Sequence, residues 1–377
     1  MNGKNMTDEF ICTHLGEEPS EQLGATTTPI YQTSSFLEGY EYEYSRGANP
    51  NFNTVEKKIA ALNRTDRAIM TSCGISAVHA VFLATLNTGD HMIAVRSIYP
   101  IARKLICELE RFGVTHTFVS GTDLDEIEAA IRPETRLIYL ESPSSMVMDI
   151  QDLAAISALA KAKGIYTAID NTCATPIFQK PAEFGIDLVL YSGTKYFAGH
   201  SDTVCGFVCG NDGELMDRVK QNRLLYGYNS APFNAWLVER GLRTLPARMK
   251  QHFENALKVC KYLEKHPAVT EVNYPALESF RQHELYKKQM TGCGGLFSIK
   301  TIGSYEQTKE FVKRLRIFTH AASWGGHESL VYPFGTAKPP VEYTNYAFRG
   351  GVTRMFAGLE NADDMLCDLE QALRVFL

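Results

Sequence analysis

Three groups of residues in this chain have types and spacings that could do chemistry together. The first is the run Asp187-Leu-Val-Leu-Tyr191-Ser192-Gly-Thr194-Lys195-Tyr-Phe-Ala-Gly199-His200-Ser-Asp202. Its apolar segment, Leu188 to Tyr191, reads as a buried strand, and one lysine follows it. An unpaired ammonium beside an apolar strand end is costly to bury. One reading is a surface lysine whose stem lies over the fold with its charge in water. The other is an amine that forms a Schiff base with a carbonyl, flanked by hydroxyls that can hold a phosphate. The second group is Ile165-Tyr-Thr-Ala-Ile-Asp170-Asn171-Thr172, a short apolar strand ending in a carboxylate. In open α/β sheets that end of a strand is the edge where ligands bind. The third is Thr71-Ser72-Cys73-Gly74-Ile75-Ser76-Ala77, where a strand from Ala68 turns into the apolar helix Ile75 to Leu86. Backbone N–H groups at such a helix start make an anion site. An ordinary strand-to-helix turn has the same composition, and the loop is neither a GxGxxG nor a Walker sequence.

Lysine, aspartate and anion loop together meet the needs of pyridoxal phosphate: an imine partner, a counter-ion for the ring nitrogen and a phosphate cradle. The lysine run, with Thr194-Lys195-Tyr196 and Gly199-His200-Ser201-Asp202, resembles the signature of the cystathionine lyase/synthase (Cys/Met metabolism) family of fold-type I pyridoxal phosphate enzymes. The similarity runs from Gly24 to the C-terminus. It implies an α/β fold, with a large cofactor-binding domain on a mainly parallel sheet of seven-stranded type and a smaller C-terminal α+β domain. It implies that Lys195 carries the cofactor and acts as base, and that Asp170 faces the ring nitrogen. Ser192, Thr194, Gly74 and Ile75 would hold the phosphate. Tyr99 would lie over the ring and help protonate the departing group. Tyr44-Ser-Arg46-Gly-Ala-Asn49-Pro50 matches an arm that reaches a neighbouring subunit, so Tyr44 and Arg46 would bind the partner's cofactor phosphate. That makes a homodimer or homotetramer with shared active sites. Read from residues alone, the same stretch is a tyrosine-rich edge strand and a turn.

The resemblance places the substrate carboxylate at Arg354, with Ser323 and Trp324 beside it. Arg354 is the one cation in the apolar strand Val352–Phe356, and a bidentate clamp suits arginine better than lysine. A structural arginine paired with a carboxylate is the alternative. Two departures from the family stand out. Tyr99-Pro100-Ile101-Ala102 replaces Tyr-Gly-Gly-Thr, which stiffens the loop. Ser145-Met146 replaces an Asn-Pro whose asparagine contacts the ring hydroxyl in relatives.

The elements that must position these residues alternate. Helices are expected over Ile75–Leu86, Ile101–Phe112, Leu124–Ile131 and Leu153–Lys163. Strands are expected over His91–Val95, Thr115–Val119, Arg136–Leu140, Tyr166–Ile169 and Leu188–Tyr191. Short connections make this a mainly parallel sheet with helices on both faces. Residues 1–60 read as irregular, and the resemblance implies that they form an arm contacting a neighbouring subunit. Residues 61–250 form the cofactor-binding domain, and residues 251–377 the C-terminal domain. The last is expected to have strands at Val269–Asn273, Gly295–Lys300, His320–Ser323 and Val352–Ala357, and helices at Tyr305–Arg316 and Ala362–Val375.

Composition narrows the classes. The chain has 377 residues, 45% hydrophobic and 21% charged, with net charge −5, so it has ample core and no broad basic face for nucleic acid. No apolar run approaches membrane-spanning length. The first ten residues lack the apolar core of a secretion signal. Nine scattered cysteines suit reduced thiols and the cytoplasm. Cys205 and Cys209 read as core residues in one strand, and no metal site is expected.

The expected activity is a carbon–sulfur lyase doing β-elimination on cystathionine or a related cysteine S-conjugate. Relatives that do γ-chemistry often carry Glu where this chain has Ala322, and Leu where it has Trp324. The alternative is γ-elimination or γ-replacement, with a sulfur or non-sulfur leaving group. An aminotransferase on the same fold and a non-catalytic binding protein are the competing classes. A nicotinamide dehydrogenase is disfavoured because no glycine fingerprint opens the first βα unit.

Overall fold

The computed structural model of the chain describes residues 6–334 and 352–377. They form two compact units, Met1–Ser142 with Gln151–Pro246, and Pro143–Ile150 with Ala247–Leu377. The first unit is built on seven strands: β1 (Arg67–Thr71), β2 (His91–Val95), β3 (Thr115–Val119), β4 (Thr135–Glu141), β5 (Tyr166–Asp170), β6 (Leu188–Tyr191) and β7 (Gly206–Gly210). Their order is β1-β7-β6-β5-β4-β2-β3. β3, β2, β4, β5 and β6 run parallel, while β7 is antiparallel to both neighbours. Every residue of β2, β6 and β7 is buried, as strands covered on both faces require. β1 therefore points the same way as the parallel set. The ends of β1, β2, β4, β5 and β6 deliver Ser72–Gly74, Tyr99, Glu141, Asp170 and Ser192–Lys195 to a single edge of the sheet.

The N-terminal stretch departs from the irregular arm expected of it. Pro50–Asn63 is a helix that buries Phe52, Val55, Ile59 and Leu62, and a shorter helix covers Asp8–His14. Asn49 caps the Pro50–Asn63 helix by accepting from the Asn51 N–H at 3.0 Å, and Pro50 takes the first position, where its missing N–H costs nothing. The residues that read as a turn thus start a helix.

The second unit has a five-stranded sheet, β8 (Val269–Asn273), β9 (Leu296–Thr301), β10 (Thr319–His320), β11 (Leu330–Phe334) and β12 (Val352–Phe356), in the order β10-β11-β12-β9-β8. β11 is a strand the sequence reading did not anticipate. The strand expected at His320–Ser323 is reduced to two residues. Helices Tyr305–Arg314 and Ala362–Leu373 belong to the same unit, the first with a capping box formed by Ser304 and Gln307. Among the described residues, no helix is long and apolar enough to cross a membrane.

Candidate active site

The turn that carries Lys195 is fixed from below. Tyr196 and Phe197 are buried, and Phe197 packs against Tyr191 and Phe207, with ring centroids 4.8 and 5.8 Å away. The Ala198 N–H donates to the Gly193 carbonyl at 3.0 Å and the Gly199 N–H to the Lys195 carbonyl at 2.8 Å, which closes the turn. Two glycines let neighbours come close. A Cβ on Gly193 would lie 2.6 Å from both Cys205 Sγ and the Phe207 ring. One on Gly241, in the helix Pro232–Leu242, would lie 2.3 Å from the carbonyl oxygens of Phe197 and Ala198. No side chain fits at either place.

Asp170 ends β5 opposite Leu190 of β6 and Glu141 of β4. Its carboxyl group is packed round by protein, and that burial raises its pKa. Two donations from Thr172 and the charge of Lys195 pull it back down. The Thr172 hydroxyl donates to Asp170 Oδ1 at 2.5 Å and the Thr172 N–H to the same oxygen at 2.9 Å. The same hydroxyl accepts from the Ser192 N–H at 2.8 Å. Thr172 therefore joins the carboxylate to the turn that leads to Lys195. Sequence alone assigns Thr172 no role. A threonine two residues after an acid is a common local partner, and only the strand register shows that it also reaches Ser192.

The helix Gly74–Thr85 starts beside Ser192. Cys73 at its N-cap makes no side-chain capping bond. The first N–H groups are therefore left without the usual partner. A Cβ on Gly74 would stand 2.8 Å from Ser192 Cβ and 3.0 Å from its Oγ, so only glycine permits this approach. The Ser72 N–H donates to the Tyr228 carbonyl at 2.7 Å, and the Tyr228 hydroxyl meets His79 Nδ1 at 2.5 Å, which ties the loop from the other side. An uncapped helix start, a serine hydroxyl held against it by a missing Cβ, and a lysine whose charge is felt by a half-buried carboxylate are the features pyridoxal phosphate asks for. The residues fit the cofactor.

Other residues singled out in the sequence are placed as follows. Thr194 sits in the lysine turn, but its hydroxyl donates to the Cys205 carbonyl at 3.2 Å and accepts from the Cys205 N–H at 3.0 Å. Ile75 is half-buried in the first turn of its helix. Tyr99 is 46% exposed and caps the helix Pro100–Glu108, with its N–H donating to Glu141 Oε2 at 2.6 Å. Burial and the nearby Cys73, Asp170 and Glu141 raise its pKa. Tyr44 bridges to Ser35 in a small hairpin, Arg46 follows two residues later, and both are exposed. The Arg46 guanidinium lies 5.5 Å from the Tyr44 ring and pairs with no carboxylate among the described residues.

Within the second unit, Arg354 on β12 stands opposite Tyr332 of β11. Its Nη2 donates to the carbonyls of Ala322 at 2.7 Å and Ser323 at 3.3 Å, which brings Arg354 and Ser323 together. The guanidinium carbon lies 5.6 and 5.7 Å from the Tyr332 and Phe334 ring centroids. Among the described residues no carboxylate pairs with it. Burial lowers its pKa to about 10, which leaves it charged at neutral pH. Trp324 is half-buried in the same loop.

The model of the family described as Cys/Met metabolism PLP-dependent enzyme matches residues 9–374. The chain is similar to the L-methionine gamma-lyase of Treponema denticola, with 38% identity over 93% of each chain. It is similar at 38% to the cystathionine beta-lyase of Lactococcus lactis, covering 96% of this chain and 97% of that one. To the cystathionine beta-lyase MetC of Bacillus subtilis it is 36% identical, over 99% of this chain and 98% of that one. Among solved structures, metB from Corynebacterium glutamicum superposes with a TM-score of 0.93 at 32% identity, covering 99% of both chains. With a matching model across almost its whole length, the chain belongs to the family of Cys/Met metabolism PLP-dependent enzymes.

Proposed function

We propose that this enzyme is a carbon–sulfur lyase that cleaves the Cβ–S bond of cystathionine or a related cysteine S-conjugate. The products are a thiol, pyruvate and ammonia. The observation that carries the reading is the electrostatic pairing of Lys195 with Asp170 beside the uncapped start of the helix Gly74–Thr85. Bound pyridoxal phosphate supplies an electron sink for the pair left behind when a bond to Cα breaks. The N–H groups of Gly74 and Ile75 and the Ser192 hydroxyl bind the phosphate. Asp170 keeps a proton on the ring nitrogen. Arg354 takes the substrate carboxylate through two N–H donors, with Ser323 and Trp324 lining its place. The Lys195 amine accepts the Cα proton. The Cβ–S electron pair leaves with sulfur, and the Tyr99 hydroxyl gives that sulfur its proton. Water then releases ammonia from the remaining fragment to leave pyruvate.

Tyr44 and Arg46 reach the cofactor phosphate of a neighbouring copy in a homodimer or homotetramer. Residues 1–60 supply that arm, residues 61–250 the cofactor domain and residues 251–377 the C-terminal domain. Nine free cysteines suit a reducing cytoplasm. The second reading is γ-elimination. It is favoured by the methionine gamma-lyase relative, which is as similar as the cystathionine beta-lyase of Lactococcus lactis. Incubating the holoenzyme with cystathionine, cysteine, homocysteine and methionine, and identifying the keto acid, decides between them. Pyruvate from cystathionine is expected; 2-oxobutyrate from methionine would transfer the assignment to the γ-class.

A further inference from the structure

Glu141 is a buried acid that the mechanism above leaves without a task. It ends β4, in register with Asp170 on β5, and is only 7% exposed. A carboxylate in such a place needs donors. One donor is the backbone N–H of Tyr99 at 2.6 Å. Tyr99 itself has few other restraints. The residue is 46% exposed. Pro100 follows it at the first helical position, which keeps Tyr99 out of the helical region, with φ −47° and ψ 124°. Pro100 has no N–H, so the Tyr99 amide is one of the few donors left at the entry of this helix. A carboxylate there also meets the positive end of the helix dipole.

We propose that Glu141 is the positioning residue for Tyr99, anchoring its backbone so that the half-exposed ring stays over the cofactor. The inference rests on the reading of Tyr99 given under the proposed function. It assigns Glu141 no contact with substrate. The anchor matters in this chain because Tyr99-Pro100-Ile101-Ala102 gives the ring a stiff backbone but little packing, so its place is set through the amide. Cys73, Asp170 and Glu141 act electrostatically on the Tyr99 phenol.

The test uses holoenzyme with Glu141→Ala, Glu141→Gln and Tyr99→Ala, singly and combined. Hydrogen–deuterium exchange at the Tyr99 amide should speed up in Glu141→Ala. It should speed up less in Glu141→Gln, whose amide oxygen still accepts. The visible circular dichroism of the bound cofactor should change in Glu141→Ala in the same direction as in Tyr99→Ala. The kcat of Glu141→Ala should fall about tenfold, and Glu141→Gln should recover part of it. In the Tyr99→Ala background the same Glu141→Ala change should cost less than about twofold. Unchanged Tyr99 exchange in Glu141→Ala, or an equal loss in both backgrounds, overturns the proposal. If Tyr99→Ala alone leaves kcat and the dichroism untouched, the reading of Tyr99 fails first, while the exchange experiment still reports whether the anchor exists.

Discussion

Lys195 in the first unit and Arg354 in the second are both cations partly withdrawn from water, and the fold treats them in opposite ways. Lys195 has a carboxylate, Asp170, close enough that its charge lowers that group's pKa. Arg354 has two carbonyls and two aromatic rings, and no carboxylate among the described residues. Carbonyl dipoles and ring faces offset part of the cost of burying a guanidinium, but they do not neutralise it. In the first arrangement the lysine charge offsets part of what burial does to the carboxylate. Among the described residues, the second leaves the guanidinium with carbonyl dipoles and ring faces alone. No carboxylate among the described residues stands at Arg354 as a structural ion pair would require.

The sharpest way to break this contrast is Lys195→Ala. Turnover should drop by about 10⁴-fold, and the purified protein should lose its yellow colour. Retention of a substantial fraction of the rate with no added amine would sink the role given to Lys195. Arg354→Lys comes next. It keeps the charge but loses the planar pair of donors, so KM should rise about 10- to 100-fold while kcat changes less. A fall in kcat at constant KM would mean that Arg354 does not hold the ground-state substrate.

Thr172→Val sharpens the description of the first unit. It removes the hydroxyl bond to Asp170 and leaves the backbone N–H bond. Thr172 lowers the Asp170 pKa, so its loss should raise that pKa further. Asp170 would then take up its proton at higher pH, and the acid limb of kcat/KM should move upward. Losing one hydrogen bond to a charged group corresponds to about tenfold in rate at the optimum. An acid limb that stays in place would show that Thr172 has no hold on the titration of Asp170.

Much of this was legible in the sequence because strand ends and helix starts announce themselves locally. Leu188–Tyr191 followed by a lysine, and Tyr166–Ile169 followed by an acid, are apolar runs with a polar stop, and the structure puts both ends at one edge. What was missed depends on partners distant in sequence. Glu141 and Thr172 gain their meaning from the pairing of β4, β5 and β6, which no single segment encodes. The helix Pro50–Asn63 was hidden because asparagine followed by proline starts turns and helices alike. β11 was hidden by Pro333. Among the described residues, β10 pairs with Leu330 and Val331 and stops short of Pro333, so no described strand needs an N–H from Pro333 on that side.

Acid is where the two units should behave alike. His91 in the first unit is buried, with Nδ1 2.8 Å from the Thr135 hydroxyl and Nε2 3.0 Å from that of Thr117. Burial, with the charges of Arg132 and His116 against it and Glu134 opposing them, lowers its pKa to about 4. His252 in the second unit is buried as well, with Nδ1 3.0 Å from the Ala357 carbonyl. Burial lowers its pKa to about 4, helped by Arg248 and opposed by the Ala357 bond. In the unfolded chain both imidazoles protonate near pH 6.5, as a free histidine does. Between about pH 6.5 and 4 the unfolded state therefore binds protons that the folded state refuses, and stability falls as pH falls through that window. Below it both states are protonated and this loss is complete. The unfolding midpoint should drop from pH 7 to pH 5, and His91→Gln or His252→Gln should flatten that drop even where it lowers the midpoint at pH 7. If unfolding resolves into two steps, each variant should flatten a different one, since the histidines belong to different units. A variant that keeps the full wild-type slope would show that its histidine is already protonated in the folded state, and that burial does not hold it neutral.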